Sequence, residues 1–437
     1  MQTTPNHSDE RGVTMEIRSI QCLENVIPGI ELSEFQNIGV QKMLLNKHML
    51  LAFDTGLGKT YTYSVMVRAL LNRNPEKKHI FVIIHDSMEQ AKRDVSNLVA
   101  APVEAFSAVF SELGRLARMW DRLSVVLVTY ECFSDMEFIK FLYEHIEEVE
   151  SFVTDEAHHA ANWDSSNIAF IIRALCQFVP YRSELSATPI TSDSKQYYRL
   201  MNVLDRSLSP RKDETFAGKY NDRYYAVNRG DYDLKGSYKT TVEIITPLPS
   251  QIGAIHGSIF KVLKGTGAIP QVDALTRILK SRLREGKQCI VYVNFHDSRE
   301  WIEQHLNAEH IGFVALHGRV VKSLERKAIL ESFSRREVQV LLTSVSESLN
   351  IDADVVIFYE FTTKLKQVMG RAHRGLDGKT LELVFMLTRD TMEINYFLKY
   401  IYSRSVTIQK LLGKDYSEFI SVGESIKKMD IAYDSPY

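Results

Sequence analysis

Residues 51–60 read LAFDTGLGKT. The apolar run HMLLAF (48–53) leads into this stretch, and YTYSVMVRALL follows it with apolar residues at helical spacing. Strand, glycine loop, helix is the order that a phosphate-binding loop requires. Gly56 and Gly58 let backbone N–H groups approach phosphate oxygens, and the helix N-terminus adds its partial positive charge. Lys59 is placed to reach the β- and γ-phosphates, and Thr60 to ligate Mg²⁺. Thr55, Gly56, Leu57, Gly58, Lys59 and Thr60 are therefore expected to bind ATP. The bland alternative is a lysine after a glycine turn at a helix start, and the flanking strand and helix weigh against it. One departure stands out: Phe53 occupies the start of the loop, where a small residue is usual.

A second anchor is SFVTDEAHHA (151–160). Apolar residues lead into Asp155 and Glu156, so two carboxylates are expected at the end of a buried strand. There Asp155 can hold Mg²⁺ and Glu156 can polarise the attacking water. An ordinary strand–turn boundary also carries acids, so the pair gains its weight from the phosphate loop. His158 and His159 are adjacent and match no metal-ligand spacing.

The bulk composition fits this reading. The chain has 437 residues, suited to two domains rather than one core. Hydrophobic content is 45% and charged content 25%, as in globular proteins. No apolar run reaches the roughly 18 residues of a membrane span. The start MQTTPNHSDERGVTMEIRSI is polar and carries acids, unlike a secretory signal. Cys22, Cys132, Cys176 and Cys289 are scattered, which suits reduced thiols. The expected location is the cytoplasm of a bacterial or phage-infected cell, with a nucleus as the alternative. The net charge of −2 decides nothing about nucleic acid, since a motor needs a local basic groove only.

Short β-branched runs alternate with amphipathic stretches along the chain. They include HIFVIIH (79–85), SVVLVTY (124–130), QCIVYVNF (288–295), VQVLLTS (338–344), DVVIFYE (354–360) and LELVFMLT (381–388). This pattern predicts an α/β protein with parallel sheets and crossover helices. The series breaks between about 191 and 275. The expected division is an N-terminal extension over 1–30, a first domain over 31–245 with an irregular appendage at about 205–240, and a second domain over 246–437.

These motifs together resemble those of superfamily-two helicases, nucleic-acid-dependent ATPases. EFQNIGVQKMLL is similar to the upstream glutamine motif, with Gln36 the implied adenine reader. DTGLGKT resembles motif I, VIIHDSMEQ motif Ia, DEAH (155–158) motif II and SAT (186–188) motif III. IVYVNF resembles motif IV, TSVSESLNI motif V and QVMGRAHR (367–374) motif VI. The resemblance implies two tandem RecA-like domains, each a mostly parallel sheet flanked by helices, with ATP bound in the interdomain cleft. It implies that His158, Ser186 and Thr188 couple the ATP state to domain closure. It implies that Gln367, Arg371 and Arg374 act at the γ-phosphate. Arg371 and Arg374, three apart, would share a helix face, and a guanidinium pair can neutralise charge that develops in phosphoryl transfer.

Within the superfamily the chain is most similar to the Snf2-like branch. DEAHHAANWDSS resembles that branch's acidic box, with Asn162 and Ser165 matching and Ala161 where lysine is usual. Motif V carries Ser348 where many relatives have glycine, and the large insertions of remodelling enzymes are missing. The implied nucleic-acid contacts are Ser87, Gln90, Thr129, Tyr130, Asn294, Thr343 and Ser344, through hydroxyls, amides and backbone N–H groups that bind phosphates without base readout. The aromatic segment KYNDRYYAVNRGDY (219–232) is either a DNA-gripping protrusion or packing on the first domain. The leading expectation is an ATP-driven translocase on duplex or branched DNA. The alternatives are a 3′-to-5′ unwinding helicase on DNA or RNA, and a nucleic-acid-bound ATP switch without processive motion.

Overall fold

The computed structural model describes residues 31–429, apart from 109, 191–194, 208–220, 233–237, 252–263, 266, 318–322, 345–350, 362–364 and 373–379. The expected N-terminal extension lies outside the described residues. Contacts divide the described chain into two compact units. The first takes residues up to Phe53, then Leu57–Pro189 and Lys195–Val227; the second takes Asp54–Gly56, Ile190 and the chain from Asn228 onward.

The first unit is a seven-stranded sheet: β1 (His48–Phe53), β2 (Lys78–Ile83), β3 (Val103–Phe106), β4 (Val125–Thr129), β5 (Val149–Asp155), β6 (Tyr181–Leu185) and β7 (Tyr224–Val227). Its helices are α1 (Glu34–Asn46), α2 (Lys59–Arg73), α3 (Met88–Val99), α4 (Phe110–Met119), α5 (Met136–Glu144), α6 (Asn167–Leu175) and α7 (Lys195–Leu204). The strand order is β3-β4-β2-β5-β6-β1-β7. Every pairing is parallel. Parallel strands covered on both faces read as continuous apolar runs, which is why VVLVT and HMLLAF carry no alternation. One face buries Phe133, Phe152, Trp120 and Ile172 in a single cluster.

The second unit holds a six-stranded sheet: β8 (Tyr238–Ile245), β9 (Cys289–Tyr292), β10 (Val314–Leu316), β11 (Val340–Thr343), β12 (Val355–Phe358) and β13 (Leu381–Thr388). The helices are α8 (Ile269–Arg284), α9 (His296–Ala308), α10 (Ser323–Ser334), α11 (Leu365–Ala372), α12 (Met392–Tyr396), α13 (Ser403–Leu412) and α14 (Ser417–Lys428). The order is β10-β11-β9-β12-β13-β8, again all parallel. Two α/β units with parallel sheets are the expected fold class.

Two expectations change at the junction. The first domain was expected to run to 245, yet Tyr238–Ile245 is β8 of the second sheet, paired with β13 from Tyr238↔Leu381 to Ile245↔Thr388. The β-branched run KTTVEII supplies an edge strand there, so the division falls after Val227. The expected irregular appendage contributes β7 to the first sheet, hydrogen-bonded to β1. Tyr224 is buried edge-to-face on Tyr197 at 5.8 Å, and the Tyr225 ring meets Phe53 at 5.5 Å. The two tyrosines therefore pack on the first unit and do not form a protrusion. No helix among the described residues is long and apolar enough to cross a membrane.

One buried acid sits in the middle of the first sheet. Glu184 on β6 is 1% exposed, beside Thr154 of β5 and Leu50 of β1. Neither of its carboxylate oxygens has a hydrogen-bond partner among the described residues. Burial pushes this carboxyl well above the ordinary glutamate range. The folded chain therefore keeps a proton that the unfolded chain releases, and stability falls as pH climbs from the ordinary value toward the folded one. Glu184→Gln keeps the shape and removes the ionisation. Its melting temperature should exceed the parent's by a margin that widens between about pH 5 and pH 8. Calorimetry across that range would contradict this reading if the margin stayed constant.

Candidate active site

The order β5-β6-β1 brings three strand ends side by side at one sheet edge. β1 runs into the glycine loop, β5 ends in Asp155–Glu156, and β6 leads to Ser186 and Thr188. The C-terminal edge of a parallel sheet is where such folds bind ligands, because the crossover helices diverge there.

The loop has the backbone that phosphate binding needs. Gly56 and Gly58 stand at φ +85° and +76°, which a side chain rarely adopts. A Cβ on Gly58 would also lie 2.5 Å from Gln36 Nε2. The 15-residue α2 begins at Lys59 with no side-chain cap, so its first N–H groups point at the loop. Lys59 Nζ donates to the Phe53 carbonyl at 3.1 Å, resting on an oxygen of the loop. Gln36, read as the adenine contact, ties into the loop: its Oε1 accepts the Ser33 N–H (3.1 Å) and its Nε2 donates to the Leu57 carbonyl (3.2 Å). Thr55 and Gly56 group with the second unit, where Arg229 donates from Nε and Nη2 to the Thr55 carbonyl at 3.1 and 2.9 Å. The unusual Phe53 has a cause. Its ring is fully buried against Phe35 and Tyr225, and Gly39 makes room: a Cβ there would lie 3.1 Å from Phe53 Cζ.

The acids sit on a strained turn. Glu156 adopts φ +48°, a left-handed conformation that costs a non-glycine residue of order 1 kcal/mol. Its N–H donates to Asp155 Oδ1 at 3.0 Å. Its side chain is buried, 3.6 Å from His158 Nδ1. Ser186 is buried on the neighbouring strand end, and its Oγ accepts the Thr188 N–H at 3.1 Å. Asn162 closes a turn whose carbonyl accepts from Ser165 Oγ at 3.3 Å.

Several expected nucleic-acid contacts have other roles. Tyr130 is buried, and its hydroxyl donates to the Asp155 carbonyl at 2.8 Å. Burial, then the charges of Asp155 and Glu156, push that phenol well above its usual range, so it stays a donor. Thr129 is buried with its hydroxyl 3.7 Å from Cys132 Sγ, and Thr343 is fully buried. The side chains of Thr129 and Thr343, at strand ends, and of Tyr130, directly after β4, are turned into the core. Ser87 closes the turn before α3 by donating to the Ile84 carbonyl (3.0 Å), and Gln90 is exposed on the first turn of α3. In the second sheet Asn294 is exposed after β9, and the Ser344 N–H donates to the Leu316 carbonyl at 3.3 Å after β11. Gln367 and Arg371 lie on α11; Arg374 and Ser348 lie outside the described residues. The motif reading missed Tyr130's service to the acids and the carboxylate of Glu360, which grips the turn at Asn294. A tyrosine directly after a strand, level with the acids, was the available signal for the first.

The donor set fits a nucleoside triphosphate with Mg²⁺. The loop offers backbone N–H groups and an ammonium, and Thr60 and Asp155 offer hard oxygen ligands. No group of three or more His, Cys, Asp or Glu among the described residues could hold a metal by itself.

Parts of the chain are similar to known proteins. Residues 270–375 match the helicase conserved C-terminal domain, and residues 15–191 match the type III restriction enzyme, res subunit. UvrABC system protein B of Thermotoga petrophila is 25% identical over 169 residues, 36% of this chain and 24% of that protein. The Chlorobium phaeobacteroides protein of the same name is 30% identical over 135 residues, 28% of this chain and 20% of its own length. The chain thus covers about a quarter or less of these relatives. Among solved structures, the Pyrococcus furiosus Hef helicase domain aligns with TM-score 0.55 and 17% identity, covering 84% of this chain and 98% of that one. A variant of S. cerevisiae Dbp5 bound to RNA and ADP BeF3 aligns with TM-score 0.56 and 14% identity, covering 96% and 98%. The structural likeness shows the RecA-like fold. The two domain matches support a helicase-type, ATP-hydrolysing enzyme.

The Tyr130–Asp155 bond is testable. Tyr130→Phe removes one donor from the partly buried Asp155 carbonyl, which costs about 1 kcal/mol of stability. It should also lower ATP turnover, because the acidic turn loses its anchor. Denaturant melts and steady-state hydrolysis measure both. An unchanged midpoint with unchanged turnover would show that the bond does not hold the turn.

Proposed function

We propose that the chain is an ATP-driven motor that translocates on duplex or branched DNA, as used in DNA repair, recombination or replication. The observation that carries this reading is the adjacency of β5, β6 and β1, which sets Lys59, Asp155, Glu156, Ser186 and Thr188 on one sheet edge. ATP supplies the phosphoanhydride. The Gly56–Thr60 loop and Lys59 would hold its phosphates, and Thr60 and Asp155 would hold Mg²⁺. Glu156 orients the attacking water and accepts its proton. His158, Ser186 and Thr188 pass the state of that site to the rest of the chain. Arg371 and Arg374, with Gln367, neutralise charge at the γ-phosphate during transfer. The Snf2-like assignment is supported by Asn162 and Ser165 following the DEAH box. A duplex tracker grips backbone phosphates and has no need of exposed bases.

Lys59→Ala should abolish hydrolysis by removing a phosphate contact. Glu156→Gln should keep ATP binding while turnover drops roughly 10²–10⁴-fold, the usual share of a general base. Arg371→Ala should slow turnover with ATP affinity much less affected. Hydrolysis by the parent is then measured against single-stranded DNA, duplex, forked DNA, four-way junctions and RNA. Duplex or branched DNA should stimulate strongly, with a steep loss as salt rises because binding releases counterions. Stimulation by single strands or RNA alone, with duplex and branched DNA inert, would replace the translocase with an unwinding helicase. Normal turnover by Glu156→Gln would remove Glu156 as the base.

A further inference from the structure

The glycine loop opens on a carboxylate. Asp54 lies two residues before Gly56, and a negative charge so close to a phosphate loop opposes the binding of a triphosphate. Asp54, Thr55 and Gly56 group with the second unit, together with Asn228, Arg229 and the C-terminal helices. Lys414 stands in the turn between α13 and α14, and its side chain is fully buried. Its Nζ lies 2.5 Å from Asp54 Oδ1. The other carboxylate oxygen accepts the Arg229 N–H at 3.1 Å. Burial works to raise the Asp54 carboxyl, but the charge of Lys414, then that of Lys366, outweighs it and holds the group below the ordinary aspartate range. Asp54 is therefore ionised at neutral pH.

The turn that carries Lys414 is itself fastened. Asn228 is buried and grips it twice: its Nδ2 donates to the Gly413 carbonyl at 2.9 Å, and its Oδ1 accepts the Asp415 N–H at 3.0 Å. Arg229, next in sequence, donates from its side chain to the Thr55 carbonyl. It approaches the loop so closely that a Cβ on Gly56 would lie 2.7 Å from its Nη2. Lys366 on α11 has bonds of its own, to the Asp415 carbonyl and to Glu418 at 3.4 Å. The loop entrance and the C-terminal turn are thus joined by a buried ion pair between residues 360 apart in sequence. Such a pair adds little net stability, because both charges lose their water. Removing one partner alone has a large effect, because the other charge stays buried and uncompensated.

We propose that Lys414 is a positioning residue for ATP: it is the counter-ion that neutralises the Asp54 carboxylate at the entrance of the phosphate loop, so that the C-terminal turn Gly413–Asp415 sets the affinity of the loop for a triphosphate. Lys414 acts through Asp54. The inference rests on the reading of this loop as an ATP site and deepens it. Lys414 lies beyond the last of the quoted motifs, QVMGRAHR (367–374), so none of them contains it.

The test uses the full chain, equilibrium titration with a fluorescent ATP analogue and Mg²⁺ in the absence of nucleic acid, steady-state hydrolysis, and thermal melts that establish folding. Lys414→Met keeps the length of the side chain and removes its charge. It should weaken nucleotide binding and raise KM about tenfold, because the uncompensated carboxylate repels the phosphates. Its kcat should stay within about twofold of the parent's, because the repulsion acts alike before and during transfer. The double variant Asp54→Asn with Lys414→Met removes both charges and keeps an acceptor for the Arg229 N–H. It should return the nucleotide affinity to within about twofold of the parent's. A turn that acted through packing alone would leave the double variant as weak as Lys414→Met. That outcome overturns the proposal, as does a folded Lys414→Met protein with unchanged affinity, or one that loses kcat with KM unchanged. Where Lys414→Met alone fails to fold, the double variant decides: a tenfold loss of affinity overturns the proposal, and parental affinity supports it. A parent chain that binds the analogue while Lys414→Met matches it defeats this inference alone. A parent chain that does not bind the analogue defeats the ATP-site reading too.

Discussion

The parallel hydrogen bonding of β5 to β6 and of β6 to β1 is the constraint on which the candidate site depends. Neighbouring strands lie about 4.8 Å apart. Strands in register therefore deliver their C-terminal residues within reach of one small molecule. Asp155 pairs with Leu185, and Leu185 with Leu51, so the acids, the Ser-Ala-Thr segment and the glycine loop emerge level. A slip of one residue would turn Thr154 and Glu184 to the other face and carry the acids away from the loop. The packing around β1 guards that register. Phe53 is locked between Phe35 and Tyr225, and Gly39 leaves it room.

Both units use buried polar groups to aim backbone at a ligand-binding edge. In the first, the Tyr130 hydroxyl holds the Asp155 carbonyl, and Glu156 is kept in a left-handed turn. In the second, Glu360 holds two amides of the Asn294–Phe295 turn. Burial raises the Glu360 carboxyl to about 7, against the pull of Ser298, of those amides and of Lys264. Glu184 contributes no such bond and stays protonated by burial. The left-handed backbone of Glu156 and the buried carboxyls of Glu184 and Glu360 cost stability.

The parts of the site legible in the sequence were those whose chemistry needs a fixed local order. Gly56, Gly58, Lys59 and Thr60 sit in a strand–loop–helix context, and Asp155–Glu156 end an apolar run, so contiguous residues carried enough to place them. The parallel α/β class followed from unalternating β-branched runs. What escaped depended on partners remote in sequence. Nothing local shows that YYAV pairs with β1, or that KTTVEII pairs with β13 more than a hundred residues away. Phe53 looked anomalous because its partner Gly39 lies in another element. The burial of the Thr129, Tyr130 and Thr343 side chains was not legible either, because motif position does not reveal which way a side chain at or just after a strand end turns.

The central claim is that one sheet edge of the first unit binds and hydrolyses ATP. A crystal structure of the chain with Mg²⁺ and a non-hydrolysable ATP analogue tests it most directly. The account predicts the β- and γ-phosphates on the amides of Gly56–Thr60, with Lys59 released from the Phe53 carbonyl onto a phosphate oxygen. It predicts Mg²⁺ about 2.1 Å from the Thr60 hydroxyl and held through Asp155. Phosphates seated elsewhere, with Lys59 still on the Phe53 carbonyl, would contradict it.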